Sequence, residues 1–346
     1  MKTLILVPKL TVLGGISLHY IGLKDYWTEN VEYFEGFRLI KKNIIASVII
    51  CIFKYISFIL KALTYRPDNL VLNVSLKKGF FSEVYYVRVA KLFNINIFKY
   101  IHGWDVNSEW MLRHKKGRFL LENSNKIIVL SSLFKEKLEN NGYADKSIYV
   151  TCTKVDDKLV AGFDINTRKG EIKKFLYLSR IEKGKGLEMS LDIFKLINRE
   201  YPDTTYTIAG DGNHMEYIKC YIKENNINNV ELVGKVSGKD VANLFSRSDF
   251  FFLLSESEGM PAALLEALAF GLPVATTPVG GIPEIFKDET MGILSYERNS
   301  EYYYKRINEL ISDKEKTKEI SIYNYNFAKE HFYASKVARQ MEEIFN

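Results

Sequence analysis

Two glutamates eight positions apart, Glu258 and Glu266, stand in the stretch SESEGMPAALLEALAFGLPV, residues 255–274. From Pro261 to Phe270 the sequence reads Pro, Ala, Ala, Leu, Leu, Glu, Ala, Leu, Ala, Phe, so a helix here offers Glu266 no polar face on which to be solvated. A carboxylate buried with an apolar helix is costly unless a cation pairs with it or other groups donate hydrogen bonds to it. Either the chain supplies that cation or a ligand supplies hydroxyls. DFFFLLS before the pair has the length and apolarity of a strand. Pro261 suits a first helical turn, Gly271 ends the helix, and Pro273 bars its restart before PVATT. Strand, loop, helix, strand places Glu258 in a loop at the carboxyl end of a strand, where open α/β sheets bind ligands. The helix start presents N–H groups to an anion.

Three further loops at predicted strand ends carry residues suited to chemistry. In KLTVLGGIS, Gly14 and Gly15 either form an ordinary tight turn or let the backbone approach a ligand closely. In YIHGWD, His102, Gly103 and Asp105 end a strand, and His102 is either structural or part of a site. In SRIEKGKGLEM, Arg180 ends a strand and Lys185 stands just before a helix. Two cations and a helix amino end aimed at one point suit a diphosphate; solvated surface lysines are the plain alternative. The Walker pattern GxxxxGK[ST] is absent, and no GxGxxG follows the first strand.

The elements that must position these loops alternate along the chain. Strand-like TLILVP, VEYF, NLVLNVSL, NIFKYIH, KIIVLSS and SIYVT are separated by helical stretches such as SEVYYVRVAKLF and SLFKEKLENN. The pattern lapses into polar residues over 155–174. It restarts with FLYLSR, TYTIAGDG, VELVGKV, DFFFLLS and PVATT, and it closes in helices that include ASKVARQMEEIF. A chain of 346 residues, 47% hydrophobic, fills two cores of ordinary size. The expected fold is α/β, two Rossmann-like doubly wound domains facing a central cleft. The boundaries expected are 1–165 and 166–329, with the terminal helix at about 330–346 packing back on the first domain.

Cys51, Cys152 and Cys220 are scattered, odd in number and without a CxxC pair, which argues against a disulfide framework or zinc site and for a reducing cytoplasm. The opening MKTLILVP reads as a first strand rather than a secretory leader. Residues 1–165 hold 24 Lys plus Arg against 15 Asp plus Glu, a balance of +9 within a chain of +6. That half either meets an anionic membrane or is simply a solvated basic surface; no recognition helix or aromatic RNA-reading signature points to nucleic acid. The segment 44–63, IIASVIICIFKYISFILKAL, is long enough to span a bilayer. Ser47, Lys54, Ser57 and Lys61 align on one helical face, so a packed or interface-lying helix is expected instead.

Taken in order, LSRIEKGKGLEMSLDIF, IAGDGN and LVGKVSGKDVANLFSRSDFFFLLSESEGMPAALLEALAFGLPVATTPVGGIPEI closely resemble the nucleotide-sugar domain of retaining glycosyltransferases of the family 4 type, which have the GT-B fold. The resemblance is dense from about Phe175 to Ile285 and thinner over the first half, where LGGIS and YIHGWD carry it. The chain departs from the family at the interdomain linker, where TCTKVDD replaces a Pro-Asn-Gly-Val-Asp type sequence.

The resemblance implies a role for each candidate. Glu266 would accept hydrogen bonds from the ribose hydroxyls, and Glu258 would bind donor-sugar hydroxyls near the reacting carbon. Arg180 and Lys185 would neutralise the leaving diphosphate, and His102 would lie near the donor sugar. Gly15 would approach the donor phosphates or the acceptor, with Gly14 and Asp105 on the acceptor side. Val236, Ser237 and Gly238 would border the base, and Asp211, Gly259, Met260, Pro261 and Ala262 would complete the donor site. No D-x-D triplet occurs, so neither a metal nor another cofactor is expected, and cations and helix ends would stabilise the leaving group. GGIPEI, residues 280–285, reads as a glycine turn before a helix opened by Pro283. The expected activity is retaining transfer of a sugar from a nucleotide-sugar to a glycan or lipid-linked acceptor, at the cytoplasmic membrane face, in building a bacterial surface polysaccharide. An epimerase, a phosphorylase and a non-catalytic sugar-nucleotide-binding subunit are the competing readings.

Overall fold

Alternating apolar strands and amphipathic helices divide the chain into two units, Met1–Lys154 with Ala334–Asn346, and Val155–Tyr333. The structure is a computed structural model that describes residues 1–11, 14–36, 44–74, 80–104, 108 and 112–346; at 44–48, 51, 74 and 80–82 it describes the backbone alone.

The first unit is built on strands β1 (Lys2–Val7), β2 (Asn30–Glu35), β3 (Asn69–Val74), β4 (Asn96–Ile101), β5 (Lys126–Val129) and β6 (Ser147–Val150). They form one parallel sheet in the order β2-β1-β3-β4-β5-β6. Its inner strands are buried on both faces, from Leu4 to Val7 and from Leu70 to Leu72, which is why they read as continuous apolar runs rather than alternating ones. Lys99 is the exception, a fully buried cation on β4 that pairs with Glu83 of the Phe80–Leu92 helix.

The terminal helix Ala334–Phe345 belongs to this unit. The Glu342 carboxylate accepts hydrogen bonds from the backbone N–H groups of Thr28 at 2.6 Å and Glu29 at 2.8 Å, and the Phe345 carbonyl accepts one from the Asn69 amide at 2.9 Å. The polar run at 155–174 lies wholly in the second unit, so Val155–Ile165 do not close the first. Val155 donates to the Phe332 carbonyl at 2.8 Å. Buried Arg168 donates to the carbonyls of Phe270 at 3.0 Å, Phe245 at 2.8 Å and Ser248. A guanidinium satisfied by three backbone carbonyls anchors this run, which on composition alone looks like a slack tether.

The second unit carries β7 (Lys174–Leu178), β8 (Thr205–Ala209), β9 (Val230–Gly234), β10 (Phe250–Leu253), β11 (Val274–Thr276) and β12 (Gly292–Leu294) in the order β12-β11-β10-β7-β8-β9. All are parallel. The chain winds outward from β7 through β8 to β9, then returns to β7's other side as β10. This reversal makes the β7–β10 junction the switch point of the sheet, the place where open α/β sheets form a ligand crevice.

The helix Ile44–Tyr65 packs through Phe58, Ala62 and Tyr65, which are buried. Its lysine side is turned inward, with Lys61 paired to Glu32 and Lys54 set 5.6 Å from the Phe34 ring. Among the described residues, no helix is long and apolar enough to cross a membrane.

Candidate active site

Lys185 and Glu258 meet at the switch point of the second sheet. Lys185 lies in the loop after β7 and Glu258 in the loop after β10; the Lys185 ammonium is 2.7 Å from Glu258 Oε1, and both side chains are largely shielded. Glycine brings the loops this close. Gly186, at φ +71°, caps the helix Leu187–Glu200, and a Cβ there would stand 2.0 Å from the Leu254 carbonyl oxygen. Only a residue without a side chain tolerates both that backbone and that approach. The neighbouring Gly184 carbonyl accepts from the Glu256 N–H at 2.8 Å, so the first loop is stitched to the second.

Glu266 stands one turn into the helix Ala262–Ala269, for which Pro261 is the N-cap rather than the first helical residue. Leu264, Leu265, Ala267, Leu268 and Ala269 are buried, while Ala262 is exposed and Ala263 and Glu266 are half-buried. The helix therefore has an open side, made of alanines and this one carboxylate. The expectation that Glu266 has nowhere to be solvated is corrected: small side chains leave room beside it for water or a ligand. Gly259 and Pro261 are half-buried and Met260 is buried where the loop enters the helix.

The remaining second-unit candidates share the carboxyl edge of the sheet but do not converge equally. Asp211 follows β8, is exposed, and accepts from the Gly212 N–H at 2.8 Å; its own carbonyl accepts from Ile181, tying the β8 loop to the β7 loop. Val236, Ser237 and Gly238 follow β9, with Gly238 capping the helix Lys239–Arg247. Arg180 does not join Lys185: its side chain is 71% exposed and its guanidinium pairs with Glu182 at 2.8 Å. The two cations expected to aim at one point are separate in this structure.

In the first unit, His102 follows β4. Its Nε2 lies 2.7 Å from Asn73 Oδ1, and the Asn73 amide nitrogen is committed to the Leu6 carbonyl at 2.7 Å. That commitment fixes the amide's orientation, so Nε2 carries the proton and Nδ1 is left as an acceptor. Burial pushes the His102 pKa down to about 3, which keeps the ring neutral. His19 stacks edge-on against it at 5.6 Å between ring centres, and its own pKa is lowered by burial and by His102 and Lys154. Gly14 caps the helix Gly15–Leu23 with extended backbone, and a Cβ at Gly14 or Gly15 would meet open space. Asp105 lies outside the described residues, and Gly103 is half-buried beside His102.

Residues 162–327 match the profile of the family described as glycosyl transferases group 1. The second unit is a group 1 glycosyltransferase domain. An uncharacterized glycosyltransferase of Methanocaldococcus jannaschii is 28% identical over 218 residues, covering 62% of this chain and 58% of its own. The amylovoran biosynthesis glycosyltransferase AmsK of Erwinia amylovora is 28% identical over 211 residues, covering 58% and 51%. The chain thus spans between half and three fifths of the length of these relatives. The crystal structure of Anabaena HepE in complex with UDP superimposes with a TM-score of 0.77 at 18% identity, over 100% of this chain and 99% of that one. Two parallel six-stranded α/β units make the fold GT-B.

Within the group 1 domain, two positions matter to the site in ways the sequence reading does not assign. Gly280, at φ +60°, would place a Cβ 2.0 Å from the Glu258 carbonyl oxygen, and the Gly281 N–H donates to the Gly259 carbonyl at 2.7 Å. The glycine pair is more than a turn before a helix, because it clamps the backbone that carries Glu258. The buried Thr276 hydroxyl donates to the Leu253 carbonyl at 2.9 Å and holds the end of β11 to the end of β10. The ordered series TTPVGGIPE, directly after the Glu258–Glu266 segment, is the signal from which both could have been found.

Proposed function

We propose that the protein is a retaining hexosyltransferase that moves a sugar from a nucleotide-sugar donor to a hydroxyl of a glycan or lipid-linked acceptor, in the assembly of a bacterial surface polysaccharide at the cytoplasmic membrane face. One observation carries the reading: a shielded Lys185–Glu258 pair at the sheet's switch point, beside an open helix face bearing Glu266. A diphosphate needs cations and helix N–H groups, whereas sugar and ribose need carboxylates as acceptors, and this crevice offers both within one pair of loops. HepE, which shares the fold, was crystallised with UDP, and AmsK is named for polysaccharide biosynthesis.

In this reading Lys185 turns from Glu258 to the donor diphosphate and stabilises the charge that grows on it as the anomeric C–O bond breaks. Arg180 swings in from solvent to the same anion. Glu258, freed from the lysine, accepts from donor-sugar hydroxyls, and Glu266 accepts from the ribose. Asp211, the 236–238 turn and the 259–262 helix start line the nucleotide. The neutral His102 accepts a hydrogen bond from a sugar hydroxyl at Nδ1. The acceptor oxygen bonds the anomeric carbon on the face the diphosphate leaves, and its proton passes to the departing phosphate oxygen, which yields retention. Gly14, Gly15 and Asp105 serve the acceptor side. With no D-x-D triplet in the chain, the reaction is proposed to run without a metal ion.

A thermal-shift screen of UDP, GDP, ADP and their sugar conjugates in the presence of chelator tests this, since ligand binding to the native state raises its stability. Stabilisation by one nucleotide family, followed by sugar transfer with the anomeric configuration kept, is the expected result. A purified chain that neither binds nor turns over any nucleotide-sugar refutes the reading.

A further inference from the structure

The helix Ile44–Tyr65 leaves a long apolar stripe uncovered. Ile49, Ile52, Phe53, Ile56, Leu60 and Leu63 recur at helical spacing and are each 49% to 66% exposed. Two exposed hydroxyls border the stripe, and both are already satisfied: Ser57 Oγ donates to the Phe53 carbonyl and Thr64 Oγ1 to the Leu60 carbonyl, each at 2.8 Å. An unbroken apolar strip with no unmet polar group alongside is costly in water and well suited to an apolar medium.

We propose that this face docks on the surface of a bilayer containing anionic phospholipid, which deepens the membrane-face part of the proposed function by naming the element and the lipid class, and does not depend on the sugar transfer itself. Charge decides in favour of this occupant. From Gly36 to Pro67 the sequence holds Arg38, Lys41, Lys42, Lys54, Lys61 and Arg66 and no Asp or Glu. Lys54 and Lys61 are engaged within the unit; the other four, Arg38, Lys41, Lys42 and Arg66, would repel their counterparts in a second copy seated face to face, whereas anionic headgroups neutralise them. The helix lies in the interface plane, its apolar stripe among the acyl chains and the exposed Arg66 at headgroup level.

Co-sedimentation of the whole chain with vesicles tests the proposal, comparing phosphatidylcholine alone with an equal mixture of phosphatidylcholine and phosphatidylglycerol, at low and high salt. The expected result is binding to the mixed vesicles that salt weakens. F53S/L60S should lower that binding by at least about tenfold, since two large apolar side chains no longer leave water. K41E/K42E should abolish the preference for phosphatidylglycerol. Both serine positions face outward, so F53S/L60S keeps the melting temperature and nucleotide affinity of the parent. Failure of the parent to sediment, or sedimentation of F53S/L60S at parental strength, overturns the proposal. So does a parent dimer in analytical ultracentrifugation that F53S/L60S dissociates, because the stripe would then be filled by a second copy. Nucleotide is absent from these assays and vesicles from the donor titrations, so each reading stands or falls alone.

Discussion

The Lys185 ammonium and the Glu258 carboxylate, 73 residues apart in sequence, sit 2.7 Å from each other across the β7–β10 junction. Side-chain exposures of 15% and 12% make this a mostly shielded pair, so each charge depends on the other or on a ligand. In the proposed reaction the pair opens when donor binds. Lys185→Ala should cut kcat by about 10²- to 10³-fold, the scale seen when one donor to a developing anion is removed. Glu258→Gln should depress turnover as well, and each single variant should lose about 1–3 kcal/mol of stability from the partner left uncompensated. Stopped assays and denaturant melts on both variants check this; full activity in Lys185→Ala would move the diphosphate elsewhere.

Glu266 makes a different prediction because its helix side is open. Ala262 and Ala263 beside it contribute little packing, so Glu266→Ala should keep the parental melting temperature. Loss of charged hydrogen bonds to two ribose hydroxyls, at about 1.5–3 kcal/mol each, should weaken donor binding by at least about tenfold. Calorimetric titration of the best nucleotide-sugar measures it. An unchanged dissociation constant would remove Glu266 from the site.

Two histidines of the first unit set an acid limit on stability. His102 and His19 are held neutral by burial, His102 with its pKa lowered from the ordinary 6.5 to about 3. Below pH 6.5 the unfolded chain takes up protons that the folded chain refuses. Their contribution is therefore complete above the ordinary value and shrinks as pH falls below it, for His102 down to about pH 3, by up to about 1.4 kcal/mol per pH unit for each proton refused. Melting curves between neutral pH and pH 4 should fall steeply for the parent. The fall should be shallower for His19→Phe, and equal slopes would mean that His19 is protonated in the fold.

What the sequence makes legible is what short-range pattern controls. β10 is readable because Phe250–Leu253 is buried on every side, so its apolar run is unbroken and its flanks are turn-forming. β12 escapes the reading: Gly292–Leu294 is three residues long and offers no periodicity. The four loops are visible as glycine and charge clusters at strand ends, yet the meeting of the Lys185 loop with the Glu258 loop is a property of the second sheet's order. Nothing local tells that Lys185 reaches Glu258 while Arg180 turns to Glu182. The face a helix presents is equally non-local. Lys54 and Lys61 read as the polar stripe of a packed or interface-lying helix, with nothing to say which way the stripe turns; Phe34 and Glu32 on β2 engage them and leave the apolar side out.

Glycines at two of the loops separate fold from function by the space around them. Gly280 combines a φ of +60° with a phantom Cβ 2.0 Å from the Glu258 carbonyl, so Gly280→Ala must shift the segment bearing Glu258. Expected are a destabilisation of about 1–3 kcal/mol and a fall in kcat larger than the fall in donor affinity, because Glu266 lies beyond the displaced loop on a rigid helix. Gly15 has no positive φ and nothing near its Cβ position. Gly15→Val should therefore leave the melting temperature within about 2 °C of the parent, as expected for a surface change free of strain. If the first loop closes on donor or acceptor, the same variant loses activity, since only the ligand would meet the new methyl groups. Kinetics and melts on the two variants decide the matter together. A Gly15→Val enzyme as active as the parent would leave the open space beside Gly15 without a ligand to explain it.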